Sequence, residues 1–114
     1  MTEIIDRSVL NTLSESVGED FLGELIDTFV EEAPGMFSDM QQALQAGDVE
    51  RFRRAAHSLK TNANTFGAIQ LAEKAKELEY LAREGSLEIG NTLEELHNAY
   101  GKAVIELRRL HEAR

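Results

Sequence analysis

Apolar residues recur at steps of three and four along almost the whole chain, and that spacing is the face of an amphipathic α-helix. Leu93, Leu96, Tyr100, Ala103, Leu107 and Leu110 keep it strictly, as in a coiled-coil seam. No period-two alternation is sustained over six residues, and Pro34 is the only proline. The sequence therefore predicts an all-α fold. A short first helix fits 6–16, with Asp6 as N-cap, Val9, Leu10 and Leu13 on one side, and Gly18 after it.

The second helix starts near Glu19 and Asp20, acids that suit the positive end of a helix dipole. Its apolar positions are Leu22, Leu25, Phe29, Ala33, Met36, Met40 and Ala43 or the neighbouring Leu44. They pass through Pro34 without losing phase, which predicts one bent helix over about 19–45 although an internal proline costs about 3 kcal/mol. Gly47 and Asp48 then read as a left-handed stop and a new N-cap. Helix three spans about 49–64 and is closed by Gly67; helix four covers roughly 68–84 and is followed by Gly85. Asn91 and Thr92, three residues before Glu94 and Glu95, offer overlapping capping-box registers for the last helix. Four long amphipathic helices joined by short loops predict an antiparallel four-helix bundle, with the short N-terminal helix capping one end. Residues 1–114 read as a single domain, since 114 residues suit one core and no linker or repeat divides them.

Composition excludes several functions. A net charge of −9 argues against nucleic acid and against an anionic membrane surface. The absence of cysteine excludes disulfides, thiolate metal sites and cysteine nucleophiles. No apolar run approaches the roughly 20 residues of a membrane span, and no signal peptide is visible. These features predict a cytoplasmic location. A di-metal bundle would need paired Glu-x-x-His motifs; Glu94-Glu-Leu-His97 is one match without a second, so no metal is expected.

Charge is unevenly spread. Residues 49–66 hold Arg51, Arg53, Arg54 and Lys60 against Glu50, a net +3, so within a chain of −9 the remainder carries −12. His57 sits in this basic island. It follows Ala56 of the seam Val49, Phe52, Ala56, Leu59, Ala63 and Phe66, so it points about 100° away from the seam's centre. Arg53, Lys60, Thr61 and Asn64 share its stripe. An imidazole on a rigid rod, at the edge of a buried face and between cations, suits a nucleophile that carries a phosphoryl group. Lys60 would balance charge on the moving group, Asn64 and Thr61 would donate hydrogen bonds to its oxygens, and Arg53 would add a longer-range field. Counting equal distances from the turn near Phe66 sets His57 level with about residues 75 and 76. Among the polar residues near that level, Glu79 is the candidate to orient the second ring nitrogen, with Lys76, Glu73 and Arg83 as neighbours. His97 and His111 lack any flanking pattern and read as surface residues. Met36, Phe37 and Met40 read as core, with an exposed docking patch formed by part of that set, or by Leu10 and Leu13, as the alternative.

The segment His57-Ser-Leu-Lys60-Thr-Asn-Ala-Asn-Thr-Phe-Gly67-Ala resembles the signature of histidine-containing phosphotransfer (HPt) domains, His-x-Leu-Lys-Gly with a further glycine six residues on. Leu25-Ile-Asp-Thr-Phe29-Val-Glu-Glu-Ala-Pro34, Gln45-Ala-Gly-Asp48, Arg54-Ala-Ala-His57 and Leu71-Ala-Glu-Lys-Ala-Lys-Glu-Leu-Glu79 also fit the family's pattern. The resemblance implies a monomeric helical bundle that accepts a phosphoryl group on His57 from a receiver-domain aspartate and passes it to another receiver. It implies response-regulator receiver domains, with a hybrid histidine kinase, as partners. It implies no ATP site, no catalysis of the chain's own and no cofactor, the receiver supplying Mg²⁺. The family's lysine carries over to Lys60, its glycine to Gly67 and its polar partner on the next helix to Glu79. Thr61 departs from the pattern, placing a branched side chain where the family often has glycine. The alternative function is a non-phosphorylated helical adaptor that binds a receiver or kinase domain; a shielded His57 would point to it.

Overall fold

Asp6 opens the first helix by accepting the Ser8 amide on its carboxylate at 3.0 Å. The computed structural model describes residues 3–113, and every regular element among them is helical: α1 Arg7–Val17, α2 Glu19–Ala46, α3 Val49–Thr65, α4 Ile69–Arg83 and α5 Thr92–Glu112. Gly18 separates α1 from α2 at φ 89°, and the buried Ser14 hydroxyl donates to the Glu19 carboxylate across that corner. Gly47 ends α2 in the left-handed region at φ 68°, and the Asp48 carboxylate accepts the Arg51 amide at 3.0 Å to start α3. Each of these stops uses the residue type that the backbone conformation or the unpaired amide requires.

Pro34 lies inside α2, which continues through it as one helix. Proline has no N–H to give the carbonyl four residues earlier, that of Val30. Tyr100 of α5 supplies a substitute donor: its hydroxyl is 3.5 Å from the Val30 oxygen. Tyr100 also packs edge-on against Phe29 and Phe37, and burial raises its phenol pKa above 10.0, keeping it a donor at neutral pH. Tyr100→Phe is expected to cost about 1 kcal/mol by leaving that carbonyl unpaired, read from the urea midpoint. An unchanged midpoint would mean that water serves Val30 equally well.

The buried face of α2 is Leu22, Ile26, Phe29, Ala33, Phe37, Met40 and Ala43. This corrects the expected stripe at two positions, where Ile26 and Phe37 replace Leu25 and Met36, which are half-buried. Because α2 packs against α1, α3 and α5, its apolar band is wide, and spacing alone does not say which of two adjacent columns is central. Leu10, Phe37 and Met40 are core residues, so they are not part of an exposed patch. The expected capping box on α5 is not formed either. Asn91 makes no side-chain cap bond, because its backbone (φ −91°, ψ 7°) is not extended enough to turn the side chain forward. The start of α5 is instead tied by backbone bonds from Thr92 to Ile89 and from Glu95 to Asn91, at 3.0 Å each, and the Glu95 carboxylate pairs with Lys74 of α4 at 3.2 Å.

Contacts between α2 and α5 run in opposite order along the two helices. His111 meets the Glu19 carbonyl at 3.1 Å, Arg108 meets Asp27 at 2.7 Å, Tyr100 meets Val30, and His97 lies against Phe37 with ring centres 3.9 Å apart and planes tilted by 35°. Helix α3 packs on α2 and α4, α4 packs on α5, and α1 lies against α2 and α3. Phe29, Phe52, Leu59, Leu71, Leu78, Leu96 and Leu107 fill the space between them. Burying each such side chain stabilises the fold by about 1.5–3 kcal/mol.

Candidate functional site

On α3 the inward residues Phe52, Ala56, Leu59 and Ala63 are fully buried, which fixes the rotation of the helix and turns His57 outward. The His57 side chain is 51% exposed. Its Nδ1 lies 2.8 Å from Oε2 of Glu79 on α4. Glu79 itself is buried, at 3%. The two residues meet although Glu79 stands about one turn beyond the level reached by equal counting. Helical side chains lean toward their own N-terminus. On antiparallel neighbours joined by a short turn, His57 leans away from that turn and Glu79 leans back toward it.

Lys60, one turn after His57, brings its Nζ to 3.2 Å from Oε1 of Glu79 and 3.1 Å from Oε2. Arg83, one turn after Glu79, brings Nη2 to 2.9 Å from Oε1. Burial by itself would raise the Glu79 pKa, but hydrogen bonds from His57 and Lys60 and their charge outweigh it and hold the carboxyl below 4.5. Glu79 is thus an ionised acceptor. With Nδ1–H donated to it, the imidazole keeps its Nε2 lone pair directed away from the carboxylate.

Arg53 is engaged by Glu50, with Nε 3.1 Å from Oε2, and makes no hydrogen bond to His57. That bond and the charge of Glu50 raise the Arg53 pKa, and the Glu79 charge adds to the rise, so Arg53 lies within the electrostatic reach of the cluster. Thr61 is exposed beside the histidine face. Asn64 is also exposed and borders a groove with Lys60, Gly67, Asp6, Val9 and Lys76. Gly67 lines that groove. It adopts φ 73°, and its carbonyl accepts the Asp6 amide at 2.7 Å. His97 and His111 stand apart, one against the Phe37 ring and the other bonded to the Glu19 carbonyl. Among the described residues no group of three or more His, Asp or Glu side chains is placed to hold a metal ion, and no helix is long and apolar enough to cross a membrane. Sequence reasoning named Arg83 only as a neighbour; the signal for its contact was the four-residue spacing from Glu79.

A family model described as the Hpt domain matches residues 24–113. The chain belongs to the Hpt domain family. This Hpt protein is 31% identical over 112 residues to the phosphorelay protein LuxU of Vibrio cholerae, covering 91% of the chain and 99% of that relative. Its fold superimposes on the crystal structure of histidine-containing phosphotransfer protein B from Pseudomonas aeruginosa PAO1 with a TM-score of 0.89 and 30% identity, over 100% of this chain and 99% of the other. An HPT domain from a Shewanella sensor hybrid histidine kinase, at 14% identity, shares the fold with a TM-score of 0.76 over 97% and 96% of the two chains. The Hpt chain is a histidine phosphotransfer protein of phosphorelays.

Proposed function

We propose that His57 is the phosphoacceptor and that the protein shuttles a phosphoryl group between receiver-domain aspartates. The supporting observation is an imidazole whose side chain is half exposed while its Nδ1 is held by a buried carboxylate. In the forward step the Nε2 lone pair attacks the phosphorus of an aspartyl phosphate. An N–P bond forms, the O–P bond breaks, and the electron pair leaves with the aspartate carboxylate. The Nδ1 proton stays on the ring, which becomes cationic, and Glu79 is its counter-ion. Lys60 is the nearest cation for the phosphoryl oxygens, Asn64 and Thr61 are hydrogen-bond donors beside them, and Arg53 contributes its field. The half-exposed ring favours this relay over an unphosphorylated adaptor, which would shield it.

Residues 1–114 form one domain, an antiparallel four-helix bundle of α2–α5 with α1 as the cap, a reading supported by the reversed order of the α2–α5 contacts. The protein acts as a monomer in the cytoplasm on response-regulator receivers and a hybrid histidine kinase. It has no ATP site, cofactor or nucleic-acid partner of its own, and the receiver contributes Mg²⁺ and most of the catalytic groups.

The test is incubation with a panel of phosphorylated receivers and Mg²⁺. Acid-labile, alkali-stable phosphate on this chain is expected; no label from any receiver would favour the adaptor. Glu79→Ala is expected to slow transfer roughly 10- to 100-fold, comparable to removing the outer partner of a metal-bound histidine. Rapid-quench kinetics would measure it, and an unchanged rate would remove Glu79 from the proposed mechanism.

A further inference from the structure

Glu79 holds more cations than an orienting carboxylate requires. Oε2 faces His57 Nδ1 at 2.8 Å and Lys60 Nζ at 3.1 Å, while Oε1 faces Lys60 Nζ at 3.2 Å and Arg83 Nη2 at 2.9 Å. Lys60 spans both oxygens and Arg83 holds one. A Glu–Arg pair four residues apart on a helix is ordinarily a solvated contact of small effect. Here the carboxylate is 4% exposed while the Arg83 side chain is 60% exposed, so a solvent-facing guanidinium reaches in to a buried acid.

Lys60 cannot serve two anions equally. Its ammonium is committed to Glu79 in the unphosphorylated protein. A phosphoryl group on Nε2 places up to two negative charges within its reach. When Lys60 turns to them, the buried carboxylate keeps the ring N–H from α3 and Arg83 from its own helix, with Arg53 of α3 acting only through its field. We infer that Arg83 is a positioning residue: it is the standing cation that keeps the Glu79 carboxylate on His57 Nδ1–H while Lys60 moves to the phosphoryl oxygens. The inference rests on His57 being the phosphoacceptor. No proton changes hands in the exchange; only the ion-pair partner of Lys60 does.

The experiment compares wild type, Arg83→Gln, Arg83→Lys, Lys60→Gln and the Arg83→Gln/Lys60→Gln double variant. Two readouts are used: the His57 tautomer in the free protein, from ring ¹⁵N shifts, and the rate of transfer from a phosphorylated receiver. Each single variant is expected to keep the Nδ1–H tautomer, since one cation still holds Glu79. The double variant is expected to lose it. Arg83→Gln is expected to slow transfer by about threefold, with Arg83→Lys restoring part of the rate. The double variant should lose more than the product of the single losses. A receiver-docking role for Arg83 would instead weaken receiver binding, leave the double variant's tautomer as in wild type and give independent losses; that result overturns the inference. A wild type that takes no label overturns the relay reading itself, whereas a labelled wild type with an unchanged double-variant tautomer overturns only the role of Arg83.

Discussion

Substituting His57 by glutamine is expected to reduce the phosphoryl label on this chain to background while leaving the helices intact. The glutamine amide has no nucleophilic lone pair on nitrogen, so the N–P bond cannot form. Its NH₂ can still donate to Glu79, so the buried acid keeps a partner. The His57 side chain is 51% exposed, and since glutamine can keep a donor on the buried carboxylate, the change in stability is expected to stay within about 1 kcal/mol. The loss of label is therefore chemical and not a consequence of unfolding. Circular dichroism should be unchanged beside an absent band in the phosphotransfer assay. Retained label would move the acceptor to another residue and contradict the proposed site.

Gly67→Ala is expected to destabilise the fold by roughly 2–5 kcal/mol. Two costs combine. The residue sits at φ 73°, where a Cβ costs about 1–2 kcal/mol. That Cβ would also lie 2.7 Å from the Asp6 carbonyl oxygen and 3.0 Å from the Val9 Cβ. Relieving such contacts by shifting backbone costs about 1–3 kcal/mol. Asp6 caps α1 and its amide is bonded to the Gly67 carbonyl at 2.7 Å, so the shift pulls α1 away from the groove beside Lys60 and Asn64. Urea unfolding measures the first effect. A loss below about 1 kcal/mol would mean that α1 yields without strain.

Acid offers a reversible version of the Glu79 substitution. The Glu79 pKa is lowered in the folded protein, so the stability its ion pairs contribute is full above the ordinary 4.5 and is lost as pH falls through the lowered folded value. Orientation of the His57 ring by Glu79 should persist at neutral pH and fail only below the ordinary 4.5, as the carboxyl takes up its proton.

Most helix boundaries were legible because their signals are local. Asp6, Gly18, Gly47 and Asp48 each satisfy an amide or a backbone angle within a few residues. Pairing across helices was legible only where geometry is simple. A short turn lets α3 and α4 be counted against each other, and that count reached residues 75 and 76, near which Glu79 is the acceptor; the lean of the side chains accounts for the remaining turn. The centre of the α2 stripe was not legible, because it depends on where α1, α3 and α5 all sit. The Asn91 capping box failed because capping-box residues also occur where the chain enters a helix by a backbone turn. The donor from Tyr100 to Val30 and the reach of Arg83 into Glu79 are long-range or solvent-facing contacts that spacing cannot rank. The resemblance of residues 57–67 to a phosphotransfer signature carried the functional reading; the −9 charge and missing cysteine only narrowed it.

In the proposed mechanism the buried acid occupies one ring nitrogen and thereby leaves the other to the phosphoryl group. Phosphorus–nitrogen correlation NMR on ¹⁵N-histidine-labelled protein, loaded by a phosphorylated receiver, tests it directly. The expected result is phosphorus coupled to Nε2 of His57. Phosphorus on Nδ1, or on any other side chain, would contradict it.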